Sequence, residues 1–232
     1  MKLEGVKVLD LSAFLPGPHM TMMMADHGAD VIMVEPANGR GEPTRIIGET
    51  TEDGTSVWFR NIARGKLSLK VNLKDPDGRE LLLKLAETAD VMVEDSSLAK
   101  IPAHDVAVQA LAGLIDLNRG KTDHQPTLPN VPFADASASL MALSAILMAL
   151  FRRETTGEGD YIDLAMYDAA IAWTPNVLGP TFGESRPPRP KEMRSFGGSA
   201  LTNLYETSDG EFLAFAGPEI KFATNLLTAL GR

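Results

Sequence analysis

Hydrophobic and polar positions alternate in two periods along the N-terminal part of the chain, and the switches between them lay out the elements. Gly5-Val6-Lys7-Val8-Leu9-Asp10-Leu11 alternates and is β-rich, which predicts a strand. Phe14-Leu15-Pro16-Gly17-Pro18 predicts a turn, with a helix opening near Pro18, because proline is tolerated in a helix's first turn. That helix carries Met20, Met22, Met23 and Met24 on to His27 and stops at Gly28, a residue suited to a left-handed cap. Asp30-Val31-Ile32-Met33-Val34-Glu35 predicts a second, buried strand. A strand, a helix and a strand in this order imply a parallel pair.

The pattern then repeats. Val57 to Ala63 predicts a short helix and Leu67 to Leu73 a half-exposed strand. From Asp77 to about Thr88 a helix is predicted, with Pro76 early, acids in its first turn and Leu81, Leu82 and Leu85 on its inner face. Asp90-Val91-Met92-Val93-Glu94 closes a second β-helix-β unit, so the fold class is α/β with a parallel sheet. Beyond a short connection, one helix is predicted over Asp105–Leu117. A second starts near Asp135 and ends around Arg153, and its apolar run from Ala138 to Phe151 reads as a buried core helix rather than a membrane span. A short strand over Asp160–Leu164 and a helix over Met166–Trp173 follow. A Pro- and Gly-rich linker, a hairpin turning at Asp209-Gly210 and a helix from Pro218 to Leu230 complete the chain. The expected division is a first lobe over residues 1–175, a linker over 176–199 and the start of a smaller second domain over 200–232.

Charge and composition narrow the chemistry. A net charge of −9 over 232 residues argues against nucleic acid and anionic membrane surfaces as partners, while leaving room for a small anionic ligand held by a local basic cluster. The chain has no cysteine, which excludes disulfides and thiolate chemistry and fits a cytoplasmic setting. Its N-terminus runs straight into a strand pattern, without the form of a signal peptide.

The loop from Pro36 to Glu52 lacks both the dinucleotide fingerprint and the P-loop pattern. It does open a basic set, Arg40, Arg45, Arg60, Arg64 and Lys66, five cations within 27 residues that suggest either an anion site or a solvated face. Asp135 stands before an apolar run. It reads as a helix N-cap or as a carboxylate nucleophile or base; pattern alone favours the cap, and the two roles are compatible. His104 reads as a general base near neutral pH or as part of a helix start followed by Asp105 as the cap. The methionines read as core filling. His19 and His27 have no third ligand at a suitable spacing, so no metal is expected, and His124 reads as solvated.

These residues also carry a resemblance. Gly5 to Leu11, Pro16-Gly17-Pro18 and Ala25 to Pro36 are similar to the opening of the family III coenzyme A transferases, the group that includes formyl-CoA transferase and α-methylacyl-CoA racemase. The likeness continues through Asn61 to Leu69, Asn72 to Gly78, Ala89 to Glu94, His104 to Gly113, Asp135, Thr156 to Gly159 and Met166-Tyr167-Asp168.

The resemblance implies a Rossmann-like lobe that binds CoA, a smaller α+β second lobe, an acyl-CoA and a carboxylic acid as substrates, and an interlocked homodimer. CoA is the only cofactor-like molecule implied, as a substrate. Arg64 and Lys66 match the part of the family that holds the nucleotide, with Arg40 and Arg45 as weaker matches. Asp135 matches the aspartate that attacks the thioester in the transferases, and His104-Asp105 matches the His-Asp pair of the racemases, where many transferases carry an aromatic residue. Two departures are visible. Only Ser96 to Pro102 separate Glu94-Asp95 from His104, where family members have a further helix and strand, and the chain stops at Arg232, short of the family's C-terminal return. A shortened CoA-binding or partner-binding protein without catalysis is therefore a third reading beside transferase and racemase.

Overall fold

β1 (Lys7–Asp10), β2 (Asp30–Pro36), β3 (Lys66–Val71) and β4 (Val91–Val93) form one sheet in the order β3-β2-β1-β4. Every pairing in it is parallel. The structure, a computed structural model, describes residues 1–95, 103–120, 124–189 and 192–231. The expected join at 96–102 therefore lies outside the described residues.

The chain runs outward from β1 to β2 and β3, then returns to the other side of β1 with β4. Order reverses beside β1, and a parallel sheet opens a crevice at the carboxyl ends of its strands at such a point. α1 (Pro16–Asp26), α2 (Val57–Ile62) and α3 (Pro76–Ala86) are the crossovers, close to where the apolar spacing predicts them. Ser56 caps α2 and Asp75 caps α3 through their side-chain oxygens.

The core lies between the sheet and one layer of helices. Val8, Met20, Met24, Ala29, Val31 and Ile146 form its buried centre, so the methionines of α1 fill core as expected. α6 (Phe133–Thr156) packs on α1 and α7 (Met166–Ala172). Gly17 is fixed by close approach: a Cβ there would lie 2.0 Å from Ser12 Oγ.

Four expectations change. α6 has 24 residues, starts at Phe133 and is long and apolar enough to cross a membrane by length and composition, yet it is only partly buried. It presents one stripe, Ala134, Ala138 and Ile146, to the core, while Met148 and Phe151 are 67% and 78% exposed, because no described element covers that side. The single helix expected over 105–117 is two, α4 (Asp105–Leu111) and α5 (Leu114–Leu117), broken where Gly113 takes φ +76°. α3 buries none of its residues fully; Leu81 and Leu83 face solvent where the pattern put Leu81 inside. Residues 160–164 join no ladder, since no described strand lies beside them.

The chain divides into two units, residues 1–111 with 130–173, and 112–129 with 174–232. The second unit holds α5, α8 (Pro175–Glu184), the antiparallel pair β5 (Thr202–Glu206) and β6 (Phe212–Ala216), and α9 (Ile220–Ala229). The hairpin turns at Asp209-Gly210 as expected, with Gly210 at φ +84°.

Candidate functional site

The loop that leaves β1 is held at successive backbone N–H groups. Leu11 N–H donates to Val93 O at 2.8 Å, and Ser12 N–H to Asp10 Oδ1 at 3.1 Å. Ala13 N–H donates to Asp95 Oδ2 at 3.0 Å, and Phe14 N–H to Glu42 Oε1 at 2.9 Å. Phe14 sits in the left-handed region at φ 64°, which a non-glycine residue adopts only where its surroundings hold it there. Its ring stands edge-on to the His104 imidazole, centroids 5.9 Å apart. Glu42 is buried. Besides Phe14 it accepts from Thr44, and its own N–H donates to Glu35 Oε2 at 2.8 Å.

α6 enters the same region from the other side. Its N-cap is Pro132, which supplies no side-chain acceptor, so the first N–H groups of the helix need a partner from elsewhere. Asp105 of α4 provides it: Oδ1 accepts from Ala134 N–H at 2.8 Å and from Asp135 N–H at 3.2 Å. Asp105 Oδ2 accepts from Gln109 Nε2 at 2.6 Å. Ser139, one turn on, donates to Pro16 O at 2.8 Å and ties α6 to the start of α1.

Asp135 is therefore the third residue of α6 and not its cap, which corrects the reading that pattern alone favoured. Its carboxylate takes no hydrogen bond from any described residue. A helix N-terminus ordinarily favours a carboxylate, but here the Asp105 carboxylate occupies the N–H groups that would do so. Burial, then the Asp105 charge, push the Asp135 carboxyl up to about 6, against a smaller opposing pull from His104. His104, Asp105 and Asp135 thus lie within electrostatic reach of one another. His104 is exposed, and only its backbone carbonyl, which accepts from Val108 N–H, belongs to the start of α4.

The basic set does not gather into one cluster. Arg45 makes two hydrogen bonds to Glu35, at 2.7 and 2.6 Å, and its guanidinium lies 4.1 Å from the Phe59 ring centroid. Burial opposes ionisation of Glu35, yet hydrogen bonds from Arg45, Ser68 and the Glu42 N–H hold its carboxyl down to about 2. Arg60 pairs with Asp53, and Arg64 with Asp26. The Lys66 side chain has no solvent exposure; its ammonium donates to Asp10 Oδ2 at 3.0 Å and Pro18 O at 2.7 Å. Among the described residues, Arg40 is exposed and has no carboxylate partner.

A cleft of about 390 Å³ opens at the carboxyl ends of the strands, lined by Leu11, Glu35, Asn38, Asn72, Lys74 and Asp95 among others. Its place beside the reversal of strand order is where open parallel sheets receive ligands.

Sequence reasoning singled out Asp135 and His104, and the structure brings them into one region. It passed over the Asp105–Gln109 support, although a Gln four residues after an Asp on an otherwise apolar helix face was the available signal. Nor did it find the Asp10–Lys66 pairing, whose partners lie 56 residues apart, or the Glu35–Arg45 pairing, which the loop after β2 folds back to make.

Comparison with known proteins gives a consistent picture. A family model described as CoA-transferase family III matches residues 3–101 and 94–232. The two matched stretches meet at the short join. The chain is 31% identical over 211 residues to succinyl-CoA:mesaconate CoA-transferase of Haloarcula marismortui, covering 73% of this chain and 53% of that protein. It is 30% identical to human α-methylacyl-CoA racemase, covering 100% of this chain and 65% of that protein. That match spreads the 232 residues over 271 aligned positions, as an internally shorter chain requires. A crystal structure of a CaiB/BaiF family protein from Brucella suis superposes with a TM-score of 0.81 at 27% identity, covering 99% of this chain and 69% of that one. The chain thus spans about half to two thirds of the length of these curated relatives.

Proposed function

Because the chain belongs to CoA-transferase family III, we propose that it moves coenzyme A from an acyl-CoA to a carboxylic acid, with Asp135 as nucleophile. The observation that carries this reading is the Asp135 carboxylate: partly buried, without a hydrogen-bond donor among the described residues, and raised to about 6. At pH 7 roughly nine in ten such groups are ionised, and the ion is more basic than an ordinary aspartate, which makes it a better nucleophile.

In the proposed cycle an Asp135 oxygen attacks the thioester carbonyl, the C–S bond breaks and CoA leaves as thiolate, giving an acyl-aspartyl anhydride. The thiolate attacks Asp135 Cγ and the donor acid leaves as its carboxylate, so Cγ now carries CoA as a thioester. The acceptor carboxylate attacks Cγ and expels the thiolate, which then attacks the acceptor carbonyl and frees Asp135. No net proton is consumed. We assign the CoA nucleotide to the cleft at the strand ends, with Arg40 as the accessible cation. Arg45 stands beside it through its pair with Glu35, a lining residue, and Lys66 supports it from within through Asp10, whereas Arg64 pairs with Asp26 at the other end of α1 and stays outside this assignment.

The second reading is racemisation at the α-carbon of an acyl-CoA, with His104 and Asp135 on opposite faces of the thioester. The placement of His104 beside Phe14, within electrostatic reach of Asp135, supports it, as does the racemase among the relatives. Three measurements separate the readings. After incubation with an acyl-CoA, hydroxylamine or borohydride trapping is expected to mark the Asp135 peptide; no mark under turnover removes the transferase. In heavy water without acceptor acid, a racemase exchanges its α-proton and His104→Ala loses that exchange. CoA binding by calorimetry with neither adduct nor exchange leaves the non-catalytic reading.

We also propose that a second copy covers the apolar faces left open in one chain. Met148, Phe151, Leu204 and Phe212 are all exposed. Light scattering at the mass of one chain would remove this assignment.

A further inference from the structure

Gln109 has no part in the chemistry proposed above, yet it is 2% exposed on a helix that is otherwise apolar on its buried side. A buried amide must find partners. Its Nε2 donates to Asp105 Oδ2 at 2.6 Å and, at a longer 3.3 Å, to Val131 O, just before α6 begins. The other oxygen of Asp105 is the acceptor for the first N–H groups of α6. A carboxylate with two oxygens and a free χ2 could turn away from those N–H groups; fixing one oxygen fixes the other. The path from Gln109 to the backbone of Asp135 is thus two hydrogen bonds long and runs through a single side chain.

We infer that Gln109 is a positioning residue: by holding Asp105 as the acceptor for the N-terminus of α6, it sets where the Asp135 carboxylate stands. The amide suits the task for a second reason. It brings a neutral donor to the Asp105 carboxylate in a region that already carries Asp105, Asp135 and the imidazole of His104. A charged donor there would neutralise Asp105 and alter the field at Asp135, and a Ser or Thr hydroxyl at this position is too short to reach both Asp105, one turn back, and Val131 O. The functional part of this inference rests on Asp135 being the nucleophile; the structural part does not.

The test uses the full chain and two variants. Gln109→Met keeps length and helix propensity and removes the donor. In it, the amides of Ala134 and Asp135 should exchange hydrogen at least about tenfold faster while those around Ile146 keep their rate, since the loss is local. The rate of acyl transfer should fall by about tenfold to a hundredfold with KM for the acyl-CoA within about twofold, as misplacement of a nucleophile predicts. Gln109→Glu puts a second carboxyl against Asp105, and two carboxylates so close cannot both ionise. Its rate relative to the parent should rise as pH falls from 8 to 5.5 (about the range over which such a pair takes up its proton), when the protonated group regains an O–H donor for Asp105. Unchanged exchange at Ala134 and Asp135 in Gln109→Met overturns the proposal, and so does a Gln109→Glu ratio that is flat with pH. Faster exchange at those amides in a protein whose parent forms no Asp135 adduct upholds the positioning and overturns the nucleophile reading instead.

Discussion

An Asp135→Asn chain loses turnover by at least about a thousandfold and, at pH 7, melts a few degrees higher than its parent. The activity loss follows from chemistry: an amide oxygen does not attack a thioester, and no described residue stands ready to replace the carboxylate. The stability gain follows from the cost of the charge. In the folded chain the Asp135 proton is lost at about 6, against an ordinary value of 3.8, so the carboxyl holds its proton more tightly when folded. That contribution favours the fold fully below the unfolded value and is lost as pH rises through 6. Above that, the ionised group opposes folding by about 1–2 kcal/mol once solvent screening of a partly exposed carboxyl is allowed for. Asparagine carries no such pH-dependent cost. The gain in melting temperature should be small at pH 4, where the unfolded carboxyl is just past its midpoint, and full by pH 7.5. Retained turnover would remove Asp135 from the reaction, and an equal gain at both pH values would mean that Asp135 is not held against its charge.

The cost at Asp135 also shows where sequence reasoning reaches its edge. The Rossmann-like sheet was legible because its strands are buried runs and its crossovers carry strong local punctuation: Pro18, Asp75-Pro76 and Gly28 each act on their own neighbours. Asp135 was legible as a residue of interest but not as what it is. A carboxylate before an apolar run has the form of an N-cap, and only the tertiary structure places Asp105, thirty residues earlier, on the N–H groups a cap would take. The same limit applies to burial. The apolar run of α6 promises a core helix, and the helix exists, but how much of its surface is covered depends on partners that periodicity does not name. Cations follow the same rule. Five within 27 residues look like one anion site on paper, whereas four of them point to carboxylates on different elements.

Lys66 is the residue at which those two views lead to the most different experimental results. As a ligand of the CoA phosphates it would tolerate replacement, at the expense of KM. As placed, it is the cation for Asp10, and neither side chain has any exposure. Asp10 also accepts from Ser12 and Thr21, so its carboxylate is held in position at the end of β1. Burial pushes the Lys66 ammonium toward its neutral form, and Asp10 pulls it back. Removing one partner of such a pair leaves the other charge buried alone, which costs about 3–5 kcal/mol, a large share of the roughly 5–15 kcal/mol that holds a typical domain together. Lys66→Ala is therefore expected to lower the melting temperature by about 10 °C or more, whereas Arg64→Ala, whose pair lies at the surface, should leave it unchanged. Combining Lys66→Met with Asp10→Asn removes both charges, keeps a carbonyl oxygen as acceptor for Ser12 and sets an amide N–H against the Thr21 hydroxyl, which also donates to Gly17 O, so the double variant should lose less than the two single losses added together. Strictly additive losses would show that the pair is not coupled. A Lys66→Ala chain with parental melting and a raised KM for CoA would move the residue from the interior of the lobe to the ligand.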